Sequence, residues 1–519
     1  MDSVLKKKIG QMIMTGIPGE NVSEEFAFIC REYSIGNFCI SAENASSLEN
    51  LCDLNSKLRK ITHENTGIYP FISIDQEGGW VTRFYEGAAM LPGEMSYAAS
   101  GADGDKMERL WAILGSSLRA LGCNMNNAPV LDVNSDPENP IIGTRSFGDD
   151  PHRVAELGCG EVRGLARGGV IGVVKHFPGH GNVRGDTHLS VSKNISDEET
   201  FRKNDLLPFK RAFDLGAGAL MTAHVTYETF GDEQATVSKG IMTDLLRGEL
   251  KFEGVAITDS MNMNAMLDPY PDGEGAIRAI EAGCDILLYY PMNYKIFVSA
   301  INAIYAAVES GRLSEGRIEE SYRRIIAVKE RFAIAKADPD PTLARACIHD
   351  EKLIGEILSD KLASVTCLKG AQTLSCLADE RILCVSPVCD ALRGVEESRR
   401  KILSFADEFA KSFEDSRACV SSTLGMTDNV RDAINGEYSM AVVGVFDARG
   451  AQGQLEIIKA IREKGKKVIA VLLRSPYDFE FVRECDAVIC CYEYTPLAVE
   501  ATVSAMKNNE YNGKLPINI

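Results

Sequence analysis

Lys175-His-Phe-Pro-Gly-His-Gly-Asn-Val-Arg-Gly-Asp-Thr-His188 gathers three of the chain's seven histidines, a lysine and an aspartate within fourteen residues. It follows Val170-Ile-Gly-Val-Val174, an apolar, β-branched run with the length of a buried parallel strand, so its polar residues begin where a strand ends. Barrel enzymes place their chemistry at such strand ends. Gly179, Gly181 and Gly185 accept backbone angles that a Cβ disfavours, so the segment can fold sharply and return Asp186 and His188 toward Lys175 and His176. The plain alternative is a histidine-rich surface loop.

Outward from this stretch, short β-rich runs recur through the first 290 residues, separated by segments long enough to hold a helix. The predicted strands are Ile9 to Met14, Gly36 to Ile40, Pro70 to Ile74, Cys123 to Ala128, Val170 to Val174, Gly218 to Thr222, Gly254 to Thr258 and Asp285 to Tyr290. Eight strands alternating with helices predict an α/β chain built on a (β/α)8, TIM-like barrel. Polar residues follow several of the runs: Asp75-Gln-Glu-Gly-Gly, Lys175-His176, His224 and Asp259. In a parallel barrel every C-terminal strand end lies on one face, so these distant residues converge around one pocket.

After the helical Leu313 to Ile334 comes Ala335-Lys-Ala-Asp-Pro-Asp-Pro-Thr, whose prolines cannot continue a helix. The expected division is a catalytic barrel over 1–335, a linker over 336–350 and a smaller three-layer α/β sandwich domain over 351–519. In the last part Arg381 to Val385, Met440 to Val445, Lys467 to Leu473 and Asp486 to Cys491 read as buried strands. No G-x-G-x-x-G or Walker pattern accompanies them, so no nucleotide site is expected there.

Composition narrows the function classes. With 519 residues, 45% hydrophobic and 25% charged, the chain exceeds a single core and carries no disorder signature. A formal net charge of −18 argues against nucleic acid or an anionic membrane as partner. The N-terminus has no uninterrupted apolar stretch of a secretion signal and no run suits a membrane span, so a soluble, cytoplasmic protein is expected. The fifteen cysteines are scattered without a C-x-x-C pair and read as reduced thiols.

These motifs closely resemble glycoside hydrolase family 3, specifically its bacterial β-N-acetylglucosaminidase branch, over nearly the whole chain. In the first part the resemblance rests on Asp75-Gln-Glu-Gly-Gly, Asn127-Ala-Pro-Val-Leu-Asp-Val133, Ile142-Gly-Thr-Arg-Ser-Phe-Gly148, the Lys175 to His188 stretch, Met221-Thr-Ala-His224 and Ile257-Thr-Asp-Ser-Met261. In the second it rests on Leu473-Arg-Ser-Pro-Tyr-Asp478, Tyr492-Glu-Tyr-Thr-Pro496 and Gly513-Lys-Leu-Pro. The K-H-F-P-G-H-G run followed by D-x-H is the most specific of them.

The resemblance implies a retaining, exo-acting β-N-acetylglucosaminidase with Asp259 as nucleophile and His188, oriented by Asp186, as acid/base in place of a glutamate. It implies that Asp75, Arg83, Arg145, Lys175 and His176 hold the terminal sugar. Charged groups suit that task, since charge-assisted hydrogen bonds grip vicinal hydroxyls strongly. His180 would shape its loop, and His224 would be pocket wall or support. The substrate would be cell-wall-derived or chito-oligosaccharide fragments; no cofactor and no metal are implied, and a homodimer is compatible with a supporting second domain. One departure stands out: the family usually follows Asp-Gln-Glu-Gly-Gly with arginine, where this chain has Trp80, read here as core packing.

Other readings remain open at this point. Within the family they are a β-glucosidase and a phosphorylase, the latter because imidazole does not repel phosphate as a glutamate base would. Outside it, His176, His180, Asp186 and His188 are residue types that bind zinc. Trp80 would suit a non-catalytic sugar-binding protein.

Overall fold

The computed structural model describes residues 2–184, 192–336, 338–387 and 404–519. Eight parallel strands close into a barrel: β1 (Ile13–Gly16), β2 (Asn37–Ile40), β3 (Phe71–Ile74), β4 (Met125–Asn126), β5 (Ile171–Phe177), β6 (Ala219–Thr222), β7 (Val255–Ser260) and β8 (Ile286–Tyr289). Neighbours follow in sequence order and β8 pairs with β1 to close the ring. Nearly every strand residue is buried, as expected of strands enclosed by the barrel on one side and helices on the other.

The first strand begins later than its apolar run. Ile9, Gly10 and Gln11 are the buried end of a helix, Ser3–Gln11, and the strand starts at Ile13. A helix end that packs inward and runs directly into a strand looks like one continuous apolar run. Gly10 permits the contact, because a Cβ there would lie 2.0 Å from the Ser34 carbonyl oxygen.

The second domain is a six-stranded sheet: β9 (Thr366–Lys369), β10 (Ile382–Pro387), β11 (Ser416–Ser421), β12 (Met440–Val445), β13 (Lys467–Leu472) and β14 (Ala487–Cys490), in the order β9-β14-β13-β12-β10-β11. All pairs are parallel except β9 with β14. Helices Phe405–Ser412 and Pro496–Asn508 cover one face, burying Phe405, Phe409, Val499 and Met506 against it. Helices Asp428–Ile434 and Gly453–Glu463 cover the other through Val430, Ile434, Ile457 and Ile461. The two edge strands, β9 and β11, are the ones the sequence reading missed; their half-buried, polar-rich residues lack the apolar run of a central strand.

Within 336–350, Pro341–Ile348 is a helix capped by Asp340, whose carboxylate accepts the Thr342 and Leu343 N–H groups at 3.0 Å. Pro341 opens this helix, where a missing N–H costs nothing, and Ala344 and Ile348 are buried beneath it. Trp80 leaves the barrel and joins the second domain's core, edge-on to Phe446 at 5.6 Å with the Arg474 guanidinium 5.5 Å over its ring. The tryptophan is thus packing across the seam between domains, supported by an aromatic pair and a cation–π contact. Among the described residues no helix is long and apolar enough to cross a membrane.

Candidate active site

The C-terminal ends of β3, β5 and β7 face one cavity of about 360 Å³, lined by Asp75, Arg83, Arg145, Lys175, His176 and Asp259 together with Glu77. Each arrives by its own route. Asp75 directly follows β3, Lys175 and His176 are the last turn of β5, and Asp259 sits in β7. Arg145 ends a short 3-10 turn, Gly143–Arg145, and Arg83 follows the Gly78-Gly79 turn. Among the described residues, those lining the cavity run no further along the chain than Pro291, and none belongs to the second domain.

Its floor is a buried ladder of opposite charges. Asp75 pairs with Arg83 and with Lys175, both at 3.2 Å. Lys175 continues to Glu77 at 2.5 Å, and Glu77 is gripped by both edges of the Arg145 guanidinium at 2.8 and 2.9 Å. Burial by itself would raise both carboxyls, but Lys175 and Arg83 outweigh it at Asp75, and Arg145 and Lys175 at Glu77, so both are held below their ordinary values. Burial would likewise lower Lys175, yet Glu77 and Asp75 hold its ammonium above the usual lysine value. The floor is therefore fully ionised and held in place, which is preorganisation for grasping hydroxyl groups.

A second assembly fixes the β5 end. Asp132, wholly buried, accepts the His176 ring Nδ1 at 2.7 Å, the His176 backbone N–H at 3.1 Å and the His180 backbone N–H at 2.6 Å. Carboxylate oxygens only accept, so Nδ1 carries the hydrogen and Nε2 is left as the ring's second site. Despite burial, His176 keeps the Asp132 carboxyl below its ordinary value. Burial pushes the His180 imidazole down to about 4, so that ring is neutral near neutral pH. Gly181 fits beside Asp132 because a Cβ there would lie 1.9 Å from the Val133 carbonyl oxygen.

Asp259, like Asp75 and unlike Glu77, is only partly buried; its Oδ1 accepts the Ser260 N–H at 2.7 Å. The backbone around it is braced by its neighbours. His224 Nε2 meets the Ser260 carbonyl at 3.1 Å and Nδ1 meets Thr236 Oγ1 at 2.7 Å, while Ser260 Oγ donates to the Tyr290 carbonyl at 2.5 Å. A carbonyl oxygen requires a donor, so Nε2 carries the hydrogen, and His224 supports the strand that carries Asp259 without lining the cavity.

Six of the eight residues predicted for the site thus share one cavity, while Asp186 and His188 lie outside the described residues. Glu77 and Asp132 are participants to which sequence reasoning gave no role, although both stand inside quoted motifs. A carboxylate two residues after Asp75 and another six residues past the end of β4 at Asn126 were the available clues. No group of three or more metal-binding side chains occurs among the described residues.

The model for the glycosyl hydrolase family 3 N-terminal domain matches residues 4–328. The chain is 29% identical over 527 residues to β-hexosaminidase A of Pseudoalteromonas piscicida, covering 93% of this chain and 86% of that protein. It is 31% identical over 339 residues to a β-hexosaminidase of Chromobacterium violaceum, covering 63% of this chain and 92% of that protein. Among solved structures, a family 3 β-N-acetylglucosaminidase from Paenibacillus sp. str. FPU-7 superposes with a TM-score of 0.91 at 32% identity, covering 99% of this chain and 98% of that one.

Proposed function

The chain belongs to glycosyl hydrolase family 3 and is a glycoside hydrolase, and from that premise we propose that it is a retaining exo-β-N-acetylglucosaminidase whose cavity holds the terminal sugar over an ionised floor and below Asp259. The observation that carries this reading is the convergence of Asp259 with Asp75, Lys175, His176 and Arg145 on one cavity. A pocket of about 360 Å³ accommodates one sugar unit, which suits removal of residues from a chain end. The names of the relatives support the 2-acetamido preference.

In the first step Asp259 attacks the anomeric carbon, the glycosidic bond breaks and the leaving oxygen takes a proton from His188, giving a glycosyl ester. In the second, His188 removes a proton from water, which displaces Asp259 and restores the carboxylate with the original configuration. Asp186 is assigned to orient the His188 ring and favour its protonated form, the role the aspartate has in serine-hydrolase triads. The family's D-x-H pattern at Asp186 to His188 supports these roles. Asp75, Arg83, Arg145, Lys175 and His176 bind the sugar hydroxyls, with Glu77 and Asp132 holding the cations and the imidazole in place. Fragments of cell-wall glycan or chito-oligosaccharides in the cytoplasm are the proposed natural substrates.

Side-by-side turnover of aryl β-N-acetylglucosaminide and aryl β-glucoside tests the reading. A kcat/KM at least about tenfold higher for the acetamido sugar is expected, a difference of roughly 1.4 kcal/mol in transition-state binding. Equal or reversed preference would replace it with a β-glucosidase.

A further inference from the structure

No described residue of the second domain lines the cavity, yet one of its side chains reaches the backbone directly behind the floor. Glu493 follows β14 and is 2% exposed. It is presented by Tyr492, whose φ of +64° is a left-handed value that an L side chain rarely adopts, and whose hydroxyl is tied to Thr366 Oγ1 at 2.7 Å. Glu493 Oε2 accepts the Gly93 N–H at 3.0 Å, and Oε1 pairs with Lys361 at 3.0 Å. Lys361 is itself wholly buried and donates to Ser96 Oγ and the Cys491 carbonyl. Gly79 lies against the same carboxylate so closely that a Cβ there would come within 2.2 Å of Oε2.

From these two glycines, two short paths lead to the floor. Gly79 is two residues from Glu77, in the turn that Gly78 and Gly79 make with φ of +96° and +54°. Gly93 precedes the helix Glu94–Ser100, and Glu94 Oε1 accepts the Val130 N–H at 2.9 Å. Val130 bridges to Lys175, whose backbone is hydrogen-bonded on either side by Leu131 N–H at 2.7 Å and the Pro129 carbonyl at 3.1 Å. The paths meet again at the Lys175–Glu77 ion pair.

We propose that Glu493 is a positioning residue for the sugar floor, holding the Glu77 turn and the Lys175 segment in register from the second domain. This inference rests on the reading of the cavity as the terminal-sugar site. A carboxylate fixed by a buried lysine and a strained backbone is a rigid wedge; the Gly79 turn it touches carries Glu77, and the Gly93 helix start leads through Glu94 and Val130 to Lys175. Loosening it lets Glu77 and Lys175 drift together, which weakens sugar binding in the ground and transition states alike.

The test uses the full-length protein and whichever aryl β-glycoside the wild type turns over fastest. Glu493→Ala is expected to raise KM and the inhibition constant of the released monosaccharide about tenfold each, with kcat within about threefold. Glu493→Gln, which keeps the side chain's length and the acceptor for Gly93, is expected to restore both constants most of the way. A purely structural role would lower the active fraction and hence kcat while leaving KM and product affinity unchanged, and that result overturns the proposal. Should Glu493→Ala fail to fold, Gly93→Ala approaches the contact from the barrel side, its Cβ lying 3.2 Å from Oε2. It is expected to raise KM severalfold; an unchanged KM again overturns the proposal. A wild type that cleaves only glucosides corrects the substrate reading and leaves this test intact, and one inactive on every aryl β-glycoside overturns both.

Discussion

Two groups of buried carboxyls lie close together in the barrel and behave in opposite ways. Asp75 and Glu77 at the cavity floor, and Asp132 beside His176, are held below their ordinary values, because cations or an imidazole within 2.5 to 3.2 Å outweigh the cost of burial. Glu94 and Glu161, behind that floor, are raised well above theirs by burial first, with Glu161 and Glu77 adding to the rise at Glu94. Neither forms an ion pair among the described residues. Burial is common to both groups, so it is the partners that decide the direction: nearby cations and an imidazole favour the charged form of the floor carboxyls and Asp132, whereas burial without an ion-pair partner disfavours charge on the pair behind them.

The sharpest way to break this contrast is Glu77→Gln. It leaves Arg145 and Lys175 with one buried anion fewer, so a loss of about 3–5 kcal/mol in stability is expected, as for other broken buried pairs. A fall of at least about 10² in kcat/KM should accompany it, from disordered sugar-binding groups. Denaturant unfolding and steady-state kinetics check both; a variant within 1 kcal/mol of wild type would show that the ladder is not held by its charges.

Asp132→Asn is expected to do less to stability and about 10- to 100-fold damage to kcat/KM, because an amide can present its NH2 group to His176 Nδ1 and reverse the ring's tautomer. An unchanged pH–rate profile together with unchanged kcat/KM would remove Asp132 from the positioning of His176.

Smallest of all should be Glu161→Gln, which puts a neutral amide in place of a carboxyl whose charged form burial disfavours, and is expected to stay within about 1 kcal/mol of wild type at pH 5. Its sign then depends on pH. A raised folded-state value means that the wild type loses stability as pH climbs above the unfolded glutamate value of about 4.3, so the variant should gain relative to wild type toward pH 8. The floor has the opposite slope: its lowered values give stability that is present above about pH 4 and lost as pH falls through the folded values. Stability curves of the two proteins that run parallel from pH 5 to 8 would place Glu161 among the ionised groups.

The same contrast marks what could be read in the sequence. Asp75, Lys175, His176 and Asp259 were legible because each immediately follows or ends a β-branched run, and strand ends in a barrel share one face. The partners of Glu77 and Asp132 were not, because Arg145 lies 68 residues beyond Glu77 and His176 lies 44 beyond Asp132. Only folding brings them within hydrogen-bonding distance. Glu493 is the extreme case, 400 residues from the Gly93 N–H it accepts. The central strands of both sheets were readable from apolar runs, whereas the polar edge strand Ser416–Ser421 and the helix end before Ile13 were obscured by local composition. Trp80 was read correctly as packing, but its partners Phe446 and Arg474 belong to a domain whose approach no local pattern encodes.

The central claim, that Asp259 forms a glycosyl intermediate above the ionised floor, is tested most directly by trapping it. Incubation with a fluorinated glycosyl fluoride that retains the 2-acetamido group, followed by peptide mass spectrometry, should place one sugar adduct on the Ile257-Thr-Asp-Ser-Met261 segment at Asp259. The Asp259→Asn variant should show no adduct and almost no turnover. A stoichiometric adduct on any other residue, or a first-formed product of inverted configuration, would contradict the account.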